Sequence, residues 1–75
     1  MDVQRGPNFS IIQHGVNIFV FSANEVNAGV GKQVASFLNR VRGKISVNGK
    51  RVSKRAAKSV ILKLLRKGSV EIKIE

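Results

Sequence analysis

Residues 44–58 read KISVNGKRVSKRAAK, and the fold turns on how this stretch divides. Its opening residues, KISV, alternate around two β-branched side chains and form a strand. Asn48-Gly49 signals a turn. Two courses are then open. Residues 50–52 return as the second strand of a hairpin, or they run as a loop into the next helix. Ser53 is placed to cap that helix, residues 53–67, whose apolar stripe is Ala57, Val60, Ile61, Leu64 and Leu65. Gly68 stops it, and residues 70–75, VEIKIE, alternate strictly as a last strand.

Upstream, residues 16–22, VNIFVFS, are the clearest strand in the chain. Val16, Ile18 and Val20 fall on one face, Phe19 and Phe21 on the other. A strand apolar on both faces is expected to be covered on both. Helices of this chain supply one cover; a second subunit is the expected source of the other. A helix follows over residues 27–42, with Val30, Val34, Phe37, Leu38 and Val41 on one face and Asn24 or Asn27 as its cap. Gly43 is expected to end it, with Arg40 and Arg42 in the last turn. Residues 9–13 make a short apolar run closed by His14-Gly15. Residues 1–8, MDVQRGPN, are polar, hold the single proline and read as a flexible arm, leaving residues 9–75 as a single domain.

The element order is (β)βαβαβ. Strands alternating with helices predict βαβ units. The expected fold is a two-layer α/β sandwich: a mixed sheet with at least one parallel pairing and both helices on one face. LNRVRGKISV and LLRKGSVEI repeat one pattern, a basic helix end, a glycine and a strand.

Charge and composition then bound the function. Fourteen Lys and Arg stand against 4 Asp and Glu, a net charge of +10 on 75 residues. Such a balance draws a protein to polyanions, nucleic acid first. The 43% hydrophobic content excludes a disordered basic tail. No apolar run nears the ~20 residues of a membrane span, so no membrane partner is expected. There is no cysteine and one histidine, which removes thiolate chemistry and metal clusters. The carboxylates are Asp2, Glu25, Glu71 and Glu75. Glu71 and Glu75 share a strand face but stand ~13 Å apart, too far for paired acid–base work. The expectation is therefore a protein without enzymatic activity, cofactor, metal or small-molecule substrate. With Asp2 and Arg5 following Met1 and no apolar leader, the expected compartment is the cytoplasm.

The densest charge lies at the strand-to-helix junction. Lys50, Arg51, Lys54, Arg55 and Lys58 fall within nine residues, preceded by Asn48 and Gly49. The start of a helix offers free N–H groups and a positive dipole end. Cations there oppose the dipole, so a sequence that gathers them is collecting charge for phosphates. Arg40, Arg42 and Lys44 form the expected flank. Lys63, Arg66 and Lys67 read instead as solvation of a helix end. The segment NAGVGK, residues 27–32, lacks the spacing of a phosphate loop. Phe19, Phe21 and Phe37 read as core, and the chain has no Tyr or Trp for stacking on bases.

The junction GKRVSKRA, between the strands NIFVF and KISV on one side and VEIKI on the other, resembles that of the Alba family of archaeal chromatin and RNA-binding proteins. Gly49, Lys50, Val52, Ser53 and Lys54 match the family's junction, which opens its second helix; Arg51 and Arg55 stand where the family favours alanine. The resemblance spans roughly residues 17–74. Ala23-Asn24-Glu25-Val26 replaces the family's lysine-bearing loop, and the family's long basic hairpin has no counterpart before Glu75. It implies a homodimeric, nucleoid-associated protein that binds DNA or RNA through phosphates with little regard to sequence. A second resemblance is to the phosphocarrier HPr fold: KISVNGKRV, KSVILKLL and GSVEIKIE are similar to its second half. That fold places its helices on one sheet face and its active histidine at the start of the first helix, where residues 27–32 hold none. It implies a small structural or adaptor protein for an acidic partner, without phosphocarrier activity.

Overall fold

The computed structural model describes residues 3–5 and 8–75. Asn48 and Gly49 adopt left-handed backbone, φ 51° and 83°. Two such residues in succession make the tight turn whose twist suits antiparallel strands. Residues 50–52 therefore return: β4 (Ile45–Val47) pairs antiparallel with β5 (Lys50–Val52), Val47 opposite Lys50. The hairpin course is the one the chain takes.

This hairpin lies between two helices, α1 (Ala28–Asn39) and α2 (Lys54–Leu65). Before α1 come three strands in a meander: β1 (Val3–Arg5), β2 (Phe9–Gln13) and β3 (Ile18–Ala23). After α2, β6 (Val70–Ile74) inserts between β3 and β4, giving the sheet order β1-β2-β3-β6-β4-β5. Strand β1 falls inside the segment expected as a flexible arm; residues 1, 2, 6 and 7 of that segment lie outside the described residues.

The chain is thus a small α/β domain, but the expected mixed sheet is corrected: every pairing is antiparallel. The reason is the position of β6. Strands β3 and β4, joined through α1, do run the same way, as a βαβ connection demands. Instead of pairing with each other, both pair antiparallel with β6, Phe19 opposite Ile72 and Ile45 opposite Ile74. The unit is a split βαβ.

Both helices cover one sheet face. Phe9, Ile11, Phe21, Ile45, Val47, Val70 and Ile72 from the sheet meet Val30, Val34, Leu38, Ala57, Ile61 and Leu65 from the helices. Phe21 stands edge-on to Phe9 and to Phe37, centroids 5.6 and 4.9 Å apart. The helix spacing of these apolar residues is the one the sequence shows. Asn27 caps α1, its Oδ1 accepting from the Val30 N–H at 3.0 Å, and Ser53 caps α2, its Oγ accepting from the Ala56 N–H at 3.2 Å.

Helix α1 ends earlier than its pattern predicts. Arg40 and Val41 donate to Phe37 and Leu38, which tightens the last turn, and Arg42 and Gly43 lie beyond it. Gly43 has a different duty. A Cβ there would collide with the Glu75 carbonyl oxygen, and the neighbouring Lys44 and Glu75 exchange two backbone hydrogen bonds, 2.9 and 2.8 Å. The close approach of two backbones, rather than a helix stop, requires the glycine. Strand β3 also starts later than expected, so Val16 lies in the β2–β3 loop, 92% exposed.

Ile12 and Val20 pair across β2 and β3 on the face away from the helices, beside Ile18 and the linked hydroxyls of Ser10 and Ser22, 2.8 Å apart. They are half-buried, and no second layer among the described residues covers them. Among the described residues no helix is long and apolar enough to cross a membrane.

Candidate nucleic-acid interface

The charges separate by layer. No acid occurs between Glu25 and Glu71 in the sequence. Residues 27–43 and 53–68, the helices with their ends and the loop leaving α1, hold nine cations: Lys32, Arg40, Arg42, Lys54, Arg55, Lys58, Lys63, Arg66 and Lys67. All nine are exposed, whereas Lys44 exchanges backbone hydrogen bonds with Glu75 and belongs to the sheet. Glu71 and Glu75 belong to the sheet, Glu71 opposite Val20 on the face away from the helices. The two ion pairs among the described residues both use Glu75, to Arg51 at 2.9 Å and to Lys73 at 3.9 Å. None of the nine helix-layer cations is neutralised by either.

Helix packing concentrates this charge. The helices run antiparallel, with Gly31 of α1 set against Leu62 and Lys58 of α2. At the other end the Lys54 ammonium donates to the Val41 carbonyl at 3.0 Å. That bond brings the start of α2 beside the end of α1. Arg40 and Arg42 thus flank the residue to which Lys54 is tied, while Lys44, expected beside them, lies in the sheet opposite Glu75. The first N–H groups of α2 open at this same end, where no acid occupies the first turn.

The junction residues do not stay together. Strand β5 separates Gly49 from Ser53 by about 13 Å at the strand rise. Asn48 is committed to the turn: its N–H donates to the Glu71 carbonyl and its Oδ1 accepts from the Glu71 N–H, at 2.8 and 2.9 Å. Gly49 supplies the positive φ the turn needs. Lys50 stands at the turn end of β5, while Arg51 faces away from the helices and holds Glu75. Of the junction cations, Lys50, opposite the buried Val47, is on the helix side of the sheet, and Lys54, Arg55 and Lys58 belong to α2 in the helix layer. Lys32, Lys63, Arg66 and Lys67 join them there, a grouping that reasoning by local clusters missed. The acid-free run from residue 26 to 70 was the signal that could have found them.

No protein-family model, curated protein or solved structure matches the chain.

Proposed function

We propose that this chain is a non-enzymatic nucleic-acid-binding protein that engages the phosphates of DNA or RNA through its helix layer, with an architectural role at the nucleoid or on RNA. One observation carries the reading: nine exposed cations share a layer that contains no acid, while the ion-paired cations lie on the sheet. A surface balanced for solubility alone intersperses both signs. A layer of one sign builds the potential that attracts and holds a polyanion. Contacts to phosphate position a protein and carry no sequence information, so binding is expected to be largely indifferent to sequence. A two-fold homodimer, joined through Ile12, Ile18 and Val20, would double the footprint and cover that apolar face.

The Alba resemblance rests on the junction, and it treats residues 49–55 as opening a helix directly. The hairpin strand inside that motif favours the HPr-type resemblance for the architecture. Asn27, and no histidine, caps α1. The hairpin, not the cap, supports the second reading, an adaptor of HPr-like fold that holds an acidic protein.

A salt titration against random duplex separates the two. Phosphate binding gives affinity that falls steeply and linearly on a log–log scale. Failure to bind duplex DNA or RNA at low salt, with retention of an acidic protein, would turn the assignment to the adaptor.

A further inference from the structure

At the end of the sheet where the β2–β3 loop nears the exit of α1, a cavity of about 400 Å³ opens. That volume lies in the range of sites for small ligands, roughly 300–1,000 Å³. Its wall includes Phe19 of β3 and Phe37 of α1, half-buried rings set edge-to-face with centroids 5.0 Å apart. Ile74 adds to the apolar wall, and the exposed Val16 stands on it from the loop. Arg40 and Arg42 also line it, and no acid does.

The two amides in the wall have a fixed sense. Gln13 donates its Nε2 to the carbonyls of Gly15 and Val16, 2.6 and 3.4 Å. Asn17 donates its Nδ2 to the Ile74 carbonyl at 3.0 Å. Since carbonyls only accept, Gln13 Oε1 and Asn17 Oδ1 remain as acceptors, and neither meets a protein donor among the described residues. The cavity therefore combines aromatic and aliphatic walls, two acceptors and two guanidinium groups. These features suit a ring with N–H donors and an attached anion.

We propose that the cavity receives one unstacked nucleobase of a single strand, its ring against Phe19 and Phe37 and an adjoining phosphate on Arg40 and Arg42; this rests on the nucleic-acid reading above. Arg presents its donors in a fork that suits phosphate oxygens. The exocyclic amine or ring N–H of a base meets the free amide oxygens. A carboxylate side chain, carrying acceptors alone, would be repelled by those oxygens, which disfavours an acidic peptide. A second copy of this chain, with its own +10, is disfavoured by the arginines. Bases stacked inside a duplex do not present their faces. The helix layer then holds any polyanion, and this cavity distinguishes single strands.

The test uses fluorescence anisotropy at one low salt concentration with three probes: a mixed-sequence single strand, an abasic strand of the same length, and a blunt duplex. Base stacking predicts that the intact strand binds roughly tenfold more tightly than the abasic one. Phe19→Leu should bring the two within about twofold. Should that variant fail to fold, Val16→Glu serves, because the exposed loop position tolerates it while its carboxylate faces the phosphate. It should weaken the intact strand about fivefold and the duplex by less than twofold. Equal binding of intact and abasic strands would overturn this inference and leave the phosphate reading standing. A base preference untouched by either variant would also overturn it, by putting the base elsewhere. Displacement of the intact strand by an acidic peptide of equal charge, at the same concentration as by unlabelled strand, would assign the cavity to a protein. Binding to none of the three probes would bring down both readings.

Discussion

The Lys54 ammonium donates to the Val41 carbonyl, 3.0 Å away, and so ties the first residue of α2 to the loop that leaves α1. Lys54 is therefore partly a structural residue, which its place in a basic run conceals. Arg55, its neighbour, has no hydrogen-bond or ion-pair partner among the described residues and stands in the first turn of α2, where its charge opposes the helix dipole. The two cations should separate in mutants. Lys54→Ala should lower stability by about 1 kcal/mol, or roughly 4–8 °C in Tm for a domain of this size. Arg55→Ala should leave Tm unchanged or slightly raised. Each should reduce the salt slope of binding by about 1. Thermal denaturation beside salt titration reads both effects, and equal Tm changes in the two variants would deny Lys54 its structural part.

The magnitude of the salt effect follows from the number of phosphates held. If the helix layer neutralises about 4 to 6 phosphates, log K should fall against log salt with a slope near −3.6 to −5.4 on B-DNA. A slope flatter than about −1 would remove phosphate binding as the mechanism.

Arg51 offers a contrast within the same motif. It pairs with Glu75 on the sheet, so its charge is already partly met. Arg40→Ala with Arg42→Ala should cut the slope by about 2, and Arg51→Ala by well under 1. The sequence alone ranks Arg51 with the junction cations. A larger loss from Arg51→Ala would move the interface from the helices to the sheet.

That contrast shows where the sequence was legible. The stripes Val30, Val34, Leu38 and Ala57, Ile61, Leu65 are local periodicities, and they located both helices and the face they bury. Ser53 announced its cap for the same reason, and the structure chose Asn27 over Asn24 for the other. What failed was non-local. Nothing within residues 70–74 says that they insert between β3 and β4, because that depends on partners up to 57 residues away, as in the Asn17–Ile74 hydrogen bond. The site suffered likewise. Five cations close in sequence were split by a hairpin, whereas Arg40 and Lys54, distant in sequence, were drawn to one end by a single hydrogen bond.

Assembly is open to a direct measurement. A 75-residue chain buries only about 60% of the surface its unfolded form exposes, and among the described residues no layer covers Ile12, Ile18 and Val20. Sedimentation at micromolar concentration should find a dimer, and Val20→Lys should convert it to a monomer with its helical content intact. A wild-type monomer would remove the dimer from the proposal.

The last prediction concerns Gly43. Its φ is not in the left-handed region, so alanine there is not opposed by backbone conformation. The obstacle is contact: the added Cβ would meet the Glu75 carbonyl oxygen, a backbone atom that cannot swing aside. That carbonyl accepts from the Lys44 N–H, and the Glu75 N–H donates back to Lys44. Relief of the collision must therefore open this bridge or push the end of β6 away from β4. Gly43→Ala should cost about 1–3 kcal/mol, the usual range for overpacking, and the Lys44 amide should lose protection from hydrogen exchange. Gly49→Ala makes the complementary case, because nothing lies within 4 Å of its Cβ but its φ is 83°. That variant should strain the turn and leave the Lys44 amide protected. If Gly43→Ala instead proves neutral with Lys44 still protected, the close approach of the two backbones is not a feature of the protein.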